Sequence, residues 1–290
     1  MPTFLDGAVW LPVGSDLIRF NADMKPMPVG AELVRIQPDT GIVTGRVPLR
    51  STGSFTFALG SSIVVATSSG AEVINSRSLR SERTLPGGQA LAYGSIWDVR
   101  DGALMRIDIE SGQVTGRLEV QDESGPYKEL HMATAEGSVW VGAGSTASVL
   151  RIDPHTMRTI ATVELDAVPG RVVVGSGYGH IWATQSLHSS GVLFSIDPDT
   201  NRITSTVHVG DPLVGNAPGN GGRTIGFGNG SVWTCDSSGT LTRVDPVTTD
   251  IQSIRKLPFD TCTWLGVGAG SVWASTDALD KYPSTVRIDP

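Results

Sequence analysis

The feature that most constrains the fold of this chain is a short phrase that recurs along its whole length. The phrase reads Gly-x-Val-Trp or Gly-x-Ile-Trp, and its consecutive tryptophans Trp97, Trp140 and Trp182 lie 43 and 42 residues apart. The copies begin at Gly7, Gly94, Gly137, Gly179, Gly230 and Gly270, with a degenerate copy at Ser61-Ser62-Ile63-Val64. A period of about 40 residues is typical of repeat folds in which each copy forms one supersecondary unit.

A second phrase follows each copy of the first and predicts a tight turn between two strands. Its fullest form is Arg-Ile-Asp-Pro-x-Thr, at residues 151–156. Further copies begin at Arg35, Arg106, Ser195, Arg243 and Arg287. Aspartate accepts hydrogen bonds from the turn backbone and proline presets φ, so the phrase is typical of a strand–turn–strand. Alternating apolar and polar residues follow it, as in 114–118, with the period of a half-buried strand.

Each unit therefore predicts four short strands, named a, b, c and d in chain order. Four-stranded antiparallel sheets repeated radially form a β-propeller, and no helical pattern separates the strands as a parallel α/β fold would require. We predict an all-β fold, a single seven-bladed β-propeller domain over residues 1–290. Its units are approximately 1–50, 51–86, 87–121, 122–167, 168–210, 211–257 and 258–290. The last unit stops at Asp289-Pro290 without its outer strand d, so either this blade is three-stranded or the natural chain continues.

Charge and composition narrow the class of partner. The chain has 22 Lys and Arg against 29 Asp and Glu, a formal net charge of −7. Such a surface repels phosphate backbones and acidic lipid, so we expect neither nucleic acid nor membrane as a partner. No run of 18 apolar residues and no secretory signal pattern occurs, and we therefore expect a cytoplasmic monomer.

Function is expected at one end of the blades. When strand a is innermost, the a–b and c–d hairpins lie on one face, and the b–c and d–a connections lie on the other, around the mouth of the central channel. Here the hairpins are short and uniform, whereas several connections are long, and loops on a rigid scaffold commonly carry binding groups. The long connections are residues 14–31, 121–129, 185–191, 210–222 and 276–284. They predict a walled pocket at this mouth.

The residues expected around the mouth are mostly polar. Starts of strand a supply Phe55, Gln89, Glu129, His131, Arg171, Arg223, Cys262 and Trp264, while ends of strand b and the following loops supply Asp98, Gln185, His188, Cys235 and Asp236. We predict a substrate-binding role for Gln89, Asp98, Arg171, Gln185, His188, Arg223, Asp236 and Trp264. Either Arg171 or Arg223 would bind an anionic group or a developing oxyanion. A purely structural, water-holding channel would also be polar. His180 lies in an a–b hairpin, on the other face.

Glu129-Leu130-His131 is the sharpest chemical feature of this mouth. At spacing i, i+2 on a strand, both side chains point to the same face. A carboxylate beside an imidazole orients the ring and raises its basicity, which suits general acid–base chemistry. We therefore predict His131 as the catalytic base or acid and Glu129 as the group that orients it. The alternative is a channel histidine satisfied by its neighbours.

The Gly-Ser-Val-Trp-Val and Arg-Ile-Asp-Pro-x-Thr phrases resemble the repeats of bacterial propellers that include the streptogramin B (virginiamycin B) lyases and the YVTN-repeat proteins. The resemblance spans essentially the whole chain. It implies a lyase that opens a cyclic depsipeptide by elimination with Mg²⁺, in which His131 is the base and Glu129 its neighbour or a metal ligand. Where the lyases carry a second histidine one blade earlier this chain has Gln89, and their acidic residue after strand b is replaced by Gly142-Ala143-Gly144-Ser145. Glu129 and His131 are therefore the only metal candidates.

Cys235 and Cys262 fall on the mouth side of adjacent blades. They leave four roles open: a disulfide, a metal pair, a nucleophile beside His188, or two buried small residues. Two cysteines are too few for a disulfide-stapled fold, and the nearby Asp236 and Asp260 would raise a thiol pKa. Because cysteine is among the most buried residue types, we favour the buried role.

These features lead to two classes of function. The first is a small-molecule enzyme, a lyase, hydrolase or cyclase acting on an ester, lactone or natural-product-like substrate, with its pocket at the mouth and His131 as general base or acid. Assistance by Mg²⁺ is one version of it. The alternative is a non-catalytic propeller that binds a peptide, a glycan or a partner protein over the same face, or a sensor domain of a longer protein.

Overall fold

The computed structural model consists of β-strands joined by turns and loops. It describes residues 3–13, 19–20, 26–27, 31–51, 53–67, 70–100, 102–120, 131–167, 170–186, 191–209, 224–236, 238–259, 262, 264–275 and 285–290. Within these ranges the side chains of residues 19, 20, 26, 27, 53–55, 100, 171, 186 and 264 are outside the description. Over the described ranges, no helix is long and apolar enough to cross a membrane.

The strands form antiparallel sheets that follow one another along the chain, and each of the seven larger sheets is one blade. Blade one contains β1 (Thr3–Leu5), β2 (Ala8–Val13), β5 (Glu32–Ile36) and β6 (Val43–Pro48), with β3 (Arg19–Phe20) and β4 (Pro26–Met27) paired separately. Blade two contains β7 (Gly53–Leu59), β8 (Ser62–Thr67), β9 (Gly70–Asn75) and β10 (Ser81–Leu85). Blade three contains β11 (Ala90–Ala92), β12 (Ser95–Arg100), β13 (Ala103–Asp108) and β14 (Val114–Glu119).

The remaining blades repeat this order. Blade four contains β15 (Met132–Ala135), β16 (Ser138–Ala143), β17 (Ser148–Asp153) and β18 (Arg158–Glu164). Blade five contains β19 (Arg171–Gly177), β20 (His180–Ser186), β21 (Gly191–Asp197) and β22 (Arg202–Val209). Blade six contains β23 (Thr224–Gly228), β24 (Ser231–Cys235), β25 (Thr240–Val244) and β26 (Ile251–Lys256), and blade seven contains β27 (Trp264–Gly268), β28 (Ser271–Ser275) and β29 (Thr285–Ile288).

These sheets confirm the predicted all-β fold: the chain is a seven-bladed β-propeller whose last blade has three strands in the described structure. The described residues group into two compact units. The first contains the described residues up to Asp98 and the segment Ile107–Val114, and the second contains the described residues of Val99–Arg106, Thr115–Thr276 and Thr285–Pro290. The boundaries of the seven sequence units stay predictions.

The a–b hairpins are closed by two-residue turns in the left-handed backbone region. Six turns consist of a non-glycine residue followed by glycine, with φ between 48° and 77° at both positions. They are Asp6-Gly7, Tyr93-Gly94, Glu136-Gly137, Tyr178-Gly179, Asn229-Gly230 and Ala269-Gly270. Two consecutive residues with positive φ match the right-handed twist of the flanking strands, which explains the glycine in each copy of the first phrase.

The c–d turns are held by the aspartate of the second phrase, as predicted. The carboxylate Oδ1 of Asp153 accepts hydrogen bonds of 2.8 Å from the amides of His155 and Thr156. These bonds, with that of Thr156 foremost, favour the ionised form and hold the pKa of Asp153 below its ordinary value. The equivalent anchors in other blades are Asp108, Asp197 and Asp245.

Each repeat tryptophan closes its own hairpin. Its indole Nε1 donates to the carbonyl oxygen of the last residue of strand a, five residues earlier, at 3.0–3.3 Å in all six copies. All six indole rings are buried, and four of them lie in apolar clusters that join one blade to the next, for example Trp182 with Val232 and Val244 of blade six. The bulky ring therefore fills the space between sheets while its one polar atom is satisfied within its own blade.

Beside the tryptophan, the serine of the first phrase meets the arginine of the second. In three blades the arginine Nε donates to the serine Oγ at 2.8 Å, from Arg151 to Ser138, from Arg243 to Ser231 and from Arg287 to Ser271. In blades four and six the guanidinium carbon also lies 5.1 Å from the centroid of the tryptophan ring. We call this arrangement the Ser–Arg–Trp stack. It explains why both phrases recur together.

Candidate functional site

The sequence placed the site where strand a begins and strand b ends, which we call the loop end of a blade. In blade three, the amide of Gln89 donates to the carbonyl of Trp97 at 2.7 Å, next to Asp98. The side chain of Asp98 is 1% exposed, and a Cβ at Gly87 would collide with its carboxylate. The carboxylate of Asp98 therefore lies directly beneath the backbone of residue 87, in a tightly packed position.

The loop ends of blades four and five are in direct contact. The amide of Gly142 donates to the carbonyl of His131 at 2.9 Å, which extends the β15–β16 ladder by one residue. A Cβ at Gly142 would touch the backbone and side chain of Val172 in blade five, and Val172 pairs with Gln185. His131 and Gln185 are 9% and 5% exposed. Two predicted site residues are thus buried polar side chains at the ends of neighbouring blades.

In blade six the predicted binding residue Asp236 is committed to its own turn. Its Oδ1 accepts hydrogen bonds from the amide and the hydroxyl of Ser238, at 2.9 and 2.7 Å, and from the amide of Thr240 at 2.9 Å. A carboxylate oxygen that receives three local donors stabilises the b–c turn. Its substrate-binding role stays a prediction.

Cys235 and Cys262 form a disulfide that joins blade six to the segment entering blade seven. Their Cα atoms are 5.9 Å apart, and both residues are fully buried in the apolar cluster between these blades. The prediction of burial is confirmed, but the favoured role as unbonded small residues is wrong, and the metal-pair and nucleophile interpretations are excluded by the bond. The d–a connection brings Cys262 back to the end of strand b of the preceding blade, a proximity that sequence spacing does not reveal.

Several predicted residues fall outside the description. Glu129, His188 and Arg223 lie outside the described residues, and so do the side chains of Phe55, Arg171 and Trp264. The described ranges contain no group of three or more His, Cys, Asp and Glu side chains placed to hold a metal ion. Mg²⁺ prefers oxygen ligands, whereas His131, the described half of the predicted pair, offers an imidazole. The described residues therefore do not fit a Mg²⁺ site.

A cleft opens instead at the opposite, hairpin end of the second unit, between blades four and five. Its volume is about 160 Å³, and it is lined by Ala135, Glu136, Ser176, Gly177, Gly179 and His180. Both a–b hairpins contribute, so their left-handed turns position the glutamate and the histidine on opposite sides of the cleft. The sequence predicted no role for the residues on this face.

At this cleft blade five departs from the repeat. His180 stands where blades four, six and seven have the stack serine, and Ser195 stands where they have the stack arginine. The Nδ1 atom of His180 lies 3.1 Å from the Oγ of Ser195, and the imidazole meets the ring of Trp182 edge-on at 6.1 Å between centroids. The sequence signal for this site is the departure of the fifth copy from the repeat. Its first phrase reads Gly-His-Ile-Trp at 179–182, and its second reads Ser-Ile-Asp at 195–197.

Comparisons with known proteins bear on the fold alone. No protein-family model and no curated protein matches this chain. Among solved structures, the crystal structure of BamB from Moraxella catarrhalis is similar, with a TM-score of 0.60 and 14% sequence identity over 95% of this chain and 93% of that one. A likeness at this identity supports the β-propeller fold and does not confirm the resemblance to the streptogramin B lyases or the YVTN-repeat proteins. The chain is thus similar in fold to BamB over 95% of its length.

Proposed function

We propose that this propeller is a non-catalytic binding protein that contacts a partner protein through the hairpin ends of its blades. The observation that carries the proposal is the position of the exposed large apolar side chains. Among the described residues, eight of these ten lie in an a–b or c–d turn or within two residues of one: Ile42, Val43, Leu91, Tyr93, Val114, Tyr178, Val247 and Ile251. The other two, Ile160 and Ile254, lie within outer strands.

Two of these side chains are unusual for turns. Val247 is 87% exposed in the c–d turn of blade six, and Tyr178 is 43% exposed at the tip of a hairpin with φ of 55°. The left-handed conformation costs a residue with a Cβ roughly 1–2 kcal/mol, and Asn229 fills the same position in blade six with less strain. An exposed tyrosine in a strained position favours a role in recognition, because tyrosine is enriched among the residues that dominate interfaces.

The loop ends support this proposal by contrast. Two of the groups predicted for chemistry there are engaged in the fold, since Asp236 anchors a turn and Cys235 is bonded to Cys262. Both arrangements stabilise blade six. The two cysteines are not free thiols, and the Oδ1 atom of Asp236 is occupied by hydrogen bonds from its own turn.

The experiment is a comparison of captured proteins. The wild type, the hairpin variant Tyr178→Asn with Val247→Ser, and the matched outer-strand variant Ile160→Ser are used as baits, and the bound proteins are identified by mass spectrometry. We expect a partner that the wild type and Ile160→Ser retain and that the hairpin variant loses, with a dissociation constant raised at least tenfold when measured with the purified partner. A wild type that retains nothing beyond the hairpin variant contradicts the proposal.

The compartment belongs to the same proposal. Disulfides form and persist in oxidising compartments, so the buried Cys235–Cys262 bond favours such a compartment over the cytoplasmic location expected from the sequence. Denaturation at harvest in the presence of an alkylating agent, followed by mass spectrometry, should find no modified cysteine. Two alkylated cysteines would contradict this part of the proposal. The monomeric state and the exclusion of nucleic acid and membrane partners stay predictions.

A second candidate function is the enzyme predicted from the sequence, with His131 as the acid or base. The observation that favours it is the pair of buried polar side chains, His131 and Gln185, at the loop ends of neighbouring blades. General acid–base catalysis contributes about 10²- to 10⁴-fold to a rate. Turnover of an ester or lactone by the wild type that falls at least a hundredfold in a folded His131→Asn variant would establish this function, and an unchanged rate would remove His131 from it.

A further inference from the structure

We propose that the cleft between the a–b hairpins of blades four and five is a pocket for a lysine or arginine side chain of a partner polypeptide. This inference rests on the proposed function, since it names the chemical group that one part of the hairpin ends would receive. It is carried by three observations: an unengaged carboxylate, an imidazole with one nitrogen left over, and the loss of the stack arginine in the one blade that lines the cleft with a histidine.

The carboxylate is that of Glu136. Its backbone carbonyl accepts hydrogen bonds from Arg151 and Ser138, both at 3.4 Å, which hold the turn in place. Within the described part of the chain the carboxylate itself has no hydrogen bond or ion pair, although the side chain is exposed and lines the cleft. A fixed turn therefore presents a carboxylate without a counter-ion, which a cationic group would complement.

The imidazole is that of His180. Its Nδ1 is engaged by the hydroxyl of Ser195, which also receives the hydroxyl of Thr204 at 3.2 Å. The Thr204 hydroxyl also lies 3.1 Å from the Ser195 carbonyl oxygen, which can only accept, so the contact between the Ser195 hydroxyl and Nδ1 is open to either direction of donation. The other ring nitrogen, Nε2, has no hydrogen-bond partner within the described part of the chain, so it is available to a polar group of the peptide that delivers the basic side chain.

The charge around the cleft agrees with a cationic ligand. In the stacks of blades four, six and seven an arginine occupies the position of Ser195, whereas blade five has no cation there. The nearby guanidinium of Arg151 is already shared among Ser138, Pro198, Asn201 and the ring of Trp140. The guanidinium is thus fixed within the fold, and the only uncommitted charge that lines the cleft is negative.

The size of the cleft limits the ligand to one side chain. Pockets for drug-sized molecules and cofactors occupy about 300–1,000 Å³, whereas this cleft measures about 160 Å³. A long basic side chain carried by a peptide meets both conditions, namely charge and size.

The test uses histidine ring-proton NMR of the full chain, with the His180 signals assigned by their absence from a His180→Asn variant. The probes are Nα-acetyl-arginine amide and Nα-acetyl-lysine amide, with Nα-acetyl-norleucine amide as the uncharged control. We expect a saturable shift of the His180 signals with both basic probes and none with the norleucine probe. Glu136→Gln should weaken this binding fivefold or more, whereas Glu164→Gln, an exposed glutamate on the outer strand of blade four, should leave it unchanged.

Two results would overturn the pocket: no saturable response of His180, or an equal response in Glu136→Gln. The outcome separates this inference from the proposed function. If partner capture depends on Tyr178 and Val247 while His180 does not respond, only the pocket is overturned. If His180 responds and partner capture does not depend on the hairpin residues, the pocket is supported and the proposed function fails.

Discussion

Blades four and five are built on the same repeat, yet they are joined to their successors in different ways. In blade four, the stack arginine Arg151 continues past its own tryptophan and donates to Pro198 and Asn201 in the c–d turn of blade five. Blade five has no such arginine, and its outer strand instead donates one hydroxyl hydrogen bond, from Ser205 to Thr249 of blade six, at 2.8 Å. Where blade four has an arginine that contacts the next blade, which we call the arginine tether, blade five has Ser195 and a histidine, His180, beside the cleft.

The difference between blades four and five shows how the copies of a repeat can be compared to find functional residues. Residues that recur in most copies report the packing that those blades share, so the repeated serine, arginine and tryptophan explain the fold. A copy that gives up a stabilising contact, and in which the replaced residue lines a cleft, indicates selection for something other than stability. The junction after blade six adds a third solution, since it is closed by the disulfide between Cys235 and Cys262.

The largest effect is expected at that covalent junction. The disulfide closes a loop with a sequence separation of 27 residues, and loop-closure entropy predicts a stabilisation of about 3–4 kcal/mol. The Cys235→Ala, Cys262→Ala double variant should lose that amount in urea unfolding, and reductant should destabilise the wild type equally. The double variant should not respond to reductant. Equal midpoints for oxidised and fully reduced wild type would show that this junction needs no covalent bond.

The arginine tether of blade four is expected to come next. Replacing Arg151 by Met removes hydrogen bonds to Ser138, Pro198 and Asn201 and the contact with the ring of Trp140, and should cost about 2–3 kcal/mol. The matched control is Arg158→Met on the exposed outer strand of the same blade, with a change below about 0.5 kcal/mol. If both variants unfold at the same urea concentration, the tether does not distinguish blade four from blade five.

Restoring the stack in blade five sharpens the comparison from the other side. His180→Ser with Ser195→Arg recreates the serine–arginine pair beside Trp182, and should raise the free energy of unfolding by about 1 kcal/mol. The new guanidinium should also abolish binding of the arginine and lysine probes, monitored here by calorimetry since the His180 signal is lost. A restored blade that binds the probes as well as the wild type would show that the exchange has no connection with the cleft.

Blade one offers a smaller test of the same stack. Arg35 lies over Trp10 at 5.8 Å, but Ala8 replaces the serine, and the buried Nε of Arg35 has no hydrogen-bond partner among the described residues. Ala8→Ser should supply that partner and raise stability by about 0.5–1 kcal/mol in urea unfolding. The control is Ala58→Ser on strand β7, a position that is not the serine position of the stack, so the new hydroxyl has no stack arginine as its partner. A loss of stability in Ala8→Ser would show that the serine is not needed beside the guanidinium.

The smallest effect concerns the shared c–d turns and depends on pH. Because hydrogen bonds lower the folded-state pKa of Asp153, its ionised form stabilises the fold at pH values above the ordinary pKa of about 3.9. That stability is lost as the pH falls through the lowered folded value. Asp153→Asn keeps an acceptor oxygen but cannot titrate, so its melting temperature should fall less than that of the wild type between pH 5 and pH 3. Parallel curves for the two proteins would contradict the assignment.

The sequence was sufficient for the fold because the repeat encodes contacts that are local. The hydrogen bond from Trp140 reaches only five residues back, and Asp153 anchors a turn of its own neighbours. The disulfide was not predictable in the same way, because Cys235 and Cys262 meet only after the chain has completed one blade. The cleft depends on a pair, His180 and Ser195, that is meaningful only when its register across strands b and c is known. Glu129 lies outside the described residues, so the catalytic prediction depends on measurement.

The hydrogen bond from each repeat tryptophan to its own hairpin has a consequence for the folding of the chain. Donor and acceptor belong to one hairpin and are separated by five residues, so this hydrogen bond needs no residue of another blade. Contacts of short sequence separation form fast, and closing them early keeps strand edges from exposure during synthesis. The repeat thus encodes a series of hairpins, and the hydrogen bond that closes each hairpin lies within its own blade.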